Sequence, residues 1–498
     1  MINQWVKRLK DKKTGEKKNN KTMYQPTVGL EIHIELNTKT KMFCSCLNDS
    51  DEKKPNNNIC QVCLAHPGTL PVINQEAVKK VIKAGLALNC QINQDSKFDR
   101  KNYFYPDLPK GYQISQNDMP LCQKGFLEIN NQKIRINRIH LEEDTGRLIH
   151  PENQDYSLVD FNRAGVPLME LVTEPDIKSG KQARKFAEEL QLIMNYLEIS
   201  SADMEKGEMR IEVNISMSEK KDQLGTKVEI KNLNSFKVVE KAIEFEIDRQ
   251  LKKLELKEKI VQETRGWHDK KAVTFSQREK EQAHDYRYFP EPDLPPMEFS
   301  NDFIQEIRNN IPELPQAKRE RFKKEYQLSD QAIEVFIQDK HLSYYFEKTV
   351  SELEPNLSQE KLGRLIKIIN NYLATDLKGL LKGESVTNEK FLIDPENFAE
   401  FVTLIDDGKL SSKAAKAVLL EMFNTGKDPS NIIEEENLGQ ITDQAEVEKI
   451  IQETIKENFK AVEDYKKGKQ NSFQFLIGQI MAKSRGKANP ERRNINNH

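Results

Sequence analysis

The sequence predicts an α+β protein, with a mixed α/β N-terminal domain followed by an all-helical region. Three observations carry that reading. From Pro26 to Pro296 the chain alternates in strand-like fashion between Gly and Pro punctuation, and it holds all six cysteines and all but two of the histidines. After Pro295-Pro296 it becomes Leu/Ile/Glu/Lys-rich with helical periodicity. At 498 residues it exceeds the ~250–300 at which a single hydrophobic core stops growing. The expected division is a basic, polar extension over 1–22, an α+β domain over 23–296, a helical domain over 297–405 and a tail domain over 406–498.

The elements follow in order. In Val28-Gly29-Leu30-Glu31-Ile32-His33-Ile34-Glu35-Leu36 period-two alternation turns Leu30, Ile32, Ile34 and Leu36 to one face and Glu31, His33 and Glu35 to the other. Arg138-Ile139-His140-Leu141-Glu142-Glu143-Asp144 begins as a strand and ends in three carboxylates before the Thr145-Gly146 turn. Arg210-Ile211-Glu212-Val213-Asn214-Ile215 places Arg210, Glu212 and Asn214 together. Thr226–Lys231 is a strand that leads through Asn232-Leu233-Asn234-Ser235 into a helix with Val239, Ile243, Ile247 and Leu251 at spacing four. Further on, helices cover Leu404 to Phe423, broken at Asp406-Asp407-Gly408 with Ser411 or Ser412 as N-cap, then Ile441 to Phe459 and Gln474 to Lys483.

Composition excludes several classes. Charged residues are 31% of the chain and hydrophobic ones 37%, and no run approaches the ~18 apolar residues of a membrane span. The 77 basic and 79 acidic side chains leave a formal charge of -2, so a nucleic acid must be met by a local basic patch. The opening stretch is Lys-rich without an apolar run, and six cysteines are too sparse for a disulfide scaffold. A reducing cytoplasm is therefore expected, where clustered cysteines more often mean metal. No phosphate-binding Gly-rich loop, dinucleotide fingerprint, deaminase motif or glutamine-hydrolysing amidase signature is present.

Three constellations remain. Cys44-Ser45-Cys46, then thirteen residues, then Cys60-Gln61-Val62-Cys63 supplies four soft ligands suited to a closed, structural Zn²⁺ site, while Cys90 and Cys122 read as core. Glu31, His33, Glu142, Glu143 and Glu212 offer hard oxygen ligands and one imidazole, suited to Mg²⁺. By pattern alone a solvated sheet face accounts for them more simply, and His33 between two glutamates argues against that. Basic residues interleave with aromatics in Lys97–Asp107, where Arg100, Lys101 and Tyr103 would bind substrate by stacking a base and holding phosphate; a packed aromatic loop is the alternative. Asp285-Tyr286-Arg287-Tyr288-Phe289-Pro290-Glu291-Pro292-Asp293 has the same character.

The segments 28–36, 98–107, 140–144 and 285–293, with Lys231-Asn232-Leu233-Asn234-Ser235-Phe236, resemble the GatB family of aspartyl/glutamyl-tRNA amidotransferase subunits, in order and at family spacing from about residue 24 to about residue 490, whereas the four cysteines are a feature of a subgroup. The resemblance implies a cradle-like α+β domain, a helical domain and a YqeY-like tail. It implies a heterotrimer with a GatA-like amidase and a GatC-like small subunit, and the amidation of misacylated Glu-tRNA(Gln) or Asp-tRNA(Asn) using ATP and glutamine, with glutamine hydrolysis in the partner. In family terms Glu31, His33, Glu142, Glu143 and Glu212 look like the catalytic, Mg²⁺-binding set, with Glu31, His33 and Glu143 as metal ligands; Arg210, Lys227 and Lys231 would neutralise phosphates. It assigns the tail to holding the tRNA body, through the basic clusters Lys466, Lys467, Lys469 and Lys483, Arg485, Lys487. Two rivals of other classes are a zinc-stabilised tRNA-binding adaptor without chemistry and a stand-alone ligase using free ammonia.

Overall fold

The computed structural model describes residues 24–220, 223–279, 285–439 and 444–484. The expected extension over 1–22, and Arg485 and Lys487, lie outside the described residues. The chain divides into two compact units between Leu314 and Pro315.

The first unit is built on a nine-stranded sheet. In chain order its strands are β1 (Gln25–Glu35), β2 (Gln91–Ile92), β3 (Cys122–Ile129), β4 (Gln132–Glu143), β5 (Pro167–Thr173), β6 (Met209–Ser218), β7 (Val228–Leu233), β8 (Glu263–His268) and β9 (Val273–Glu279), in the spatial order β9-β8-β7-β6-β1-β5-β4-β3-β2. The β7–β8 pair is parallel and the other pairs are antiparallel. Period-two alternation gives the sheet one apolar face, and the expected inward set Leu30, Ile32, Ile34, Ile139, Leu141, Ile211, Val213 and Ile215 is buried there. Helices α1 (Gln75–Ala87), α2 (Gly180–Tyr196) and α3 (Phe236–Glu255) contribute Val81, Phe186, Leu190, Val239 and Ile243 to the same core. Each helix begins on a side-chain cap, from Asn74, Ser179 and Ser235 respectively, and each such cap stabilises by roughly 1 kcal/mol. Cys90 and Cys122 are core residues, as their spacing implied; a Cβ on Gly125 or Gly85 would meet their sulfurs at 2.3 and 2.4 Å.

The change of sequence character at Pro295-Pro296 precedes the structural division. Helix α4 (Asn301–Asn309) still belongs to the first unit, because its Ile307 is buried in the sheet's core and Phe303 packs against it. The second unit is helical. Phe322, Phe336 and Phe346 form its first aromatic cluster, with ring centroids 4.5 Å apart for Phe336 and Phe346. Helix Gln359–Asn371 continues into a π-helical turn over Tyr372–Leu377. Helices Pro395–Asp406 and Ser412–Thr425 break as expected at Asp407-Gly408, and Ser411 caps the second. The last three described helices are Gln444–Glu457, Phe459–Lys466 and Gln470–Lys483. Among the described residues no helix is long and apolar enough to cross a membrane.

Ile32 is fully buried one residue from His33. Its replacement by Ala should destabilise the first unit by about 2–5 kcal/mol, through lost burial and the cavity left behind, read as a shift of the first unit's unfolding midpoint in urea.

Candidate active site and cysteine cluster

Strand register assembles the polar face. On β6, β1, β5 and β4 the residues Arg210, His33, Glu170 and His140 stand directly opposite one another, a row across four strands that are distant in sequence. The next row carries Glu212 opposite Glu31 and Val172 opposite Arg138, and on the other side Leu168 lies between Glu35 and Glu142. His33 Nε2 lies 3.3 Å from Glu170 Oε2 and 3.7 Å from Glu142 Oε1. His140 Nε2 faces the same two carboxylates at 3.5 and 3.6 Å, while its Nδ1 accepts from Arg138 Nε at 3.4 Å. Two donor groups result, Glu31-His33-Glu170 and His140-Glu142-Glu170, each with its ligand atoms within 4.8 Å of one another.

Burial and charge set the protonation states. Burial opposes a charge on His33, but its hydrogen bond with Glu170 and the charges of Glu170 and Glu142 outweigh it and push the imidazole up to about 9. Burial likewise works against ionising Glu170, yet His140 and His33 hold it well below the usual carboxylate range. Glu142 is lowered in the same way, burial being overcome by the hydrogen bond with His140 and the charge of Lys101. Glu31 moves upward, through burial and the neighbouring Glu170 and Glu212. Two imidazoles thus clasp two ionised carboxylates at the centre of the face.

Of the residues expected here, Glu31 and His33 fall in one of these groups and Glu142 in the other. Glu212 stands beside Glu31 and pairs with Lys231 Nζ at 2.8 Å. Glu143 does not join them. Alternation along β4 turns it away from His140 and Glu142, and Lys110 Nζ at 2.7 Å and the Ile114 amide at 3.1 Å hold it instead. It lines a cavity of about 260 Å³ that Cys44, Cys63, His66 and Lys110 also border. The two groups that could hold a cation contain Glu170 instead, which the sequence reading missed. The available signal was a single acid inside the apolar run Pro167–Thr173. His140 was missed although it shares the parity of Glu142.

A small three-stranded sheet of Phe289–Pro290, Asp99–Asn102 and Tyr112–Ser115 lies over the end of β4, with Ser115 Oγ donating to Glu142 Oε2 at 2.9 Å. Arg100, expected to meet substrate, is engaged here. Its guanidinium makes a two-pronged bond to Glu291 at 2.7 and 2.8 Å and stacks 4.3 Å from the Tyr112 ring centroid. Lys101 and Tyr103 stay at the site, with the Lys101 ammonium 5.0 Å from the Tyr286 ring centroid and 6.0 Å from that of Tyr103. Arg210 is bound to Asp144, and Lys227 is exposed before β7.

The four cysteines do converge, all sulfurs lying within 4.8 Å of one another and Cys60 and Cys63 3.9 Å apart. That last spacing matches the ~3.8 Å edge of a tetrahedron with ~2.3 Å zinc–sulfur bonds, so the donor set fits Zn²⁺. A hydrogen bond from the Cys44 thiol, outweighing burial, pulls Cys63 down to about 5, and the Lys41 charge adds to it. Lys41 is itself fully buried, its ammonium donating to the carbonyls of Asn58 at 2.7 Å and Phe161 at 3.3 Å. In the tail Lys466, Lys467, Lys469 and Lys483 are exposed, and the last three pair with Glu463, Asp464 and Glu457 respectively.

Residues 26–305 match the GatB/GatE catalytic domain family and residues 344–495 match the GatB domain family. The chain is 48% identical over 473 residues to the GatB subunit of the aspartyl/glutamyl-tRNA(Asn/Gln) amidotransferase of Persephonella marina, covering 94% of this chain and 97% of that one. It is 46% identical over 477 residues to the corresponding subunit of Thermotoga maritima and 48% over 475 residues to that of Caldicellulosiruptor bescii, with the same coverage. Likeness of this extent covers the nine-stranded sheet with its His-Glu row as well as the helical unit, and the chain belongs to the GatB family.

Proposed function

We propose that this chain is the activating subunit of a tRNA-dependent amidotransferase, in a heterotrimer with a GatA-like amidase and a GatC-like small subunit. It uses ATP to activate the side-chain carboxylate of Glu-tRNA(Gln) or Asp-tRNA(Asn), and the amide forms with ammonia released from glutamine in the amidase. The buried clasp of His33, His140, Glu142 and Glu170 carries this reading, because ionisable groups shifted by burial and by specific charge partners gather at functional sites.

Activation requires the side-chain carboxylate to attack the γ-phosphorus of ATP, forming the acyl phosphate while the bond to the β-γ bridging oxygen breaks and ADP leaves. Ammonia then attacks the acyl carbon, phosphate departs, and the amine's proton passes to a carboxylate of the cluster. Glu31, His33 and Glu170, with Glu142 beside them, would hold Mg²⁺. Bound there, the cation neutralises phosphate charge. Arg210 and Lys231 line the same face, each already balancing a carboxylate. Cys44, Cys46, Cys60 and Cys63 hold a structural Zn²⁺, and the buried Lys41 ammonium offsets part of the net negative charge of four thiolates on one dication. A reducing cytoplasm suits the free thiols. The tail beginning near residue 406 binds the tRNA body.

In the assembled complex Glu170→Gln should lower ATP-dependent amidation about 100-fold or more while glutamine hydrolysis in the partner persists. Amidation within a few-fold of normal would remove this reading of the clasp. Purified protein should contain about one Zn²⁺ per chain, and Cys60→Ser should lose the metal and lower the melting temperature of the first unit, measured by elemental analysis and thermal denaturation. Changing Lys466, Lys467 and Lys469 together to Gln should raise KM for charged tRNA about 10-fold and flatten the dependence of tRNA binding on salt, as expected if they contact phosphates.

A further inference from the structure

The cations around the polar face differ in whether they are already spent. Arg100 holds Glu291, Lys110 holds Glu143, Arg138 holds Glu170, Arg210 holds Asp144 and Lys231 holds Glu212. Lys101 holds none of them. Among the described residues its ammonium has neither a hydrogen-bond nor an ion-pair partner, and its contacts are the faces of Tyr103 and Tyr286. Burial works against its charge, but Glu142, Tyr288, Glu170 and Tyr286 outweigh that and keep it firmly protonated.

The surroundings fix where this cation stands. Lys101 lies on the strand Asp99–Asn102, opposite Gln113, and Gln113 Nε2 donates to the Glu143 carbonyl at 2.7 Å, which ties the strand pair to the end of β4. From the other side Asn102 binds the carbonyls of Tyr286 at 3.1 Å and Arg287 at 2.8 Å, and Arg287 is held at a φ of 46°, a left-handed conformation that costs a non-glycine residue energy. The Arg100–Glu291 bond locks the same two segments together. A preorganised, half-buried ammonium is thereby kept within electrostatic reach of Glu142 and Glu170, and among the described residues its three donors have no acceptor.

We propose that the Lys101 ammonium is a catalytic residue that binds the phosphoryl group in transfer from ATP to the substrate carboxylate. The proposal rests on the ATP-dependent reading above and adds the residue that meets the moving charge. A phosphoryl group in flight spreads its charge over three oxygens, and a fixed cation set against them neutralises it, here as a compact ammonium with three donors. The bond from the carboxylate oxygen to phosphorus forms, the bond from phosphorus to the bridging oxygen breaks with its electron pair going to ADP, and Lys101 donates to a non-bridging oxygen throughout without giving up its proton.

The test is ADP formation by the complete heterotrimer with Glu-tRNA(Gln) or Asp-tRNA(Asn) and glutamine. Lys101→Gln should lower kcat about 100-fold or more while KM for ATP rises less than about 5-fold, and Lys101→Arg should recover at least about 10-fold of that loss, with melting temperatures unchanged. A Lys101→Gln complex with normal kcat overturns the proposal, as does a loss confined to KM for ATP or for tRNA, which marks a ground-state contact with nucleotide or with the substrate's carboxylate. If Lys101→Gln lowers the melting temperature, Lys101→Arg decides alone: ADP formation within about 10-fold of normal supports the proposal, and a larger loss in a stable Lys101→Arg complex overturns it. An unaltered complex that forms no amide from ATP removes both this proposal and the reading it rests on, whereas a normal Lys101→Gln complex removes only this one.

Discussion

Everything at the polar face depends on the register of four antiparallel strands. β6, β1, β5 and β4 come from widely separated parts of the chain, and only their pairing sets Arg210, His33, Glu170 and His140 in line. A strand's side chains alternate with a period of two, so a slip of one residue would turn His33 into the apolar core and expose Ile32. The apolar face forbids that slip. The hydrophobic core therefore determines which ionisable groups meet on the other side, and the site is as well ordered as the core beneath it.

Charge is the second constraint. Glu35, Glu142, Glu143, Asp144 and Glu170 are all buried within one small region, an arrangement that would unfold the sheet if the carboxylates stood alone. Each is answered in a different way. Glu142 and Glu170 share imidazoles, Glu143 has Lys110, Asp144 has Arg210 and Arg163, and Glu35 takes a hydrogen bond from Ser50. Burial and the nearby Asp144 nevertheless push Glu35 up to about 7, so it meets part of the cost by keeping a proton more readily than the others. Such pairings carry specificity as much as stability, because removing either partner strands the other in a poorly solvated place.

Local patterns were legible in the sequence and long-range partnerships were not. The alternation in Val28–Leu36, the Ser411 cap, the break at Asp407-Gly408 and the convergence of the four cysteines each depend on residues close together in sequence. Glu170 escaped because one acid in an apolar strand looks the same whether it faces a histidine or solvent. Arg100 looked free for phosphate because Glu291, which takes up its guanidinium, gives no sign from its place in the sequence that it will come near. Glu143 looked equivalent to Glu142 until the strand's parity separated them. The place of α4 was hidden for a similar reason, since it has the composition of a solvent-rich helix and only Ile307 and Phe303 reveal what it packs against.

The bond between Arg100 and Glu291 spans 191 residues of sequence. A chain leaving the ribosome can pair β1 with β6 and begin its core long before that contact is possible, and the Tyr286 wall beside Lys101 can join Asn102 only once Tyr286 and Arg287 have emerged, with Glu291 following to lock it. During synthesis the nascent sheet thus carries an unfinished pocket, open on the side where the last segment of the first unit will lie. The pocket is completed late, when a strap from the end of the unit closes over strands made near its beginning.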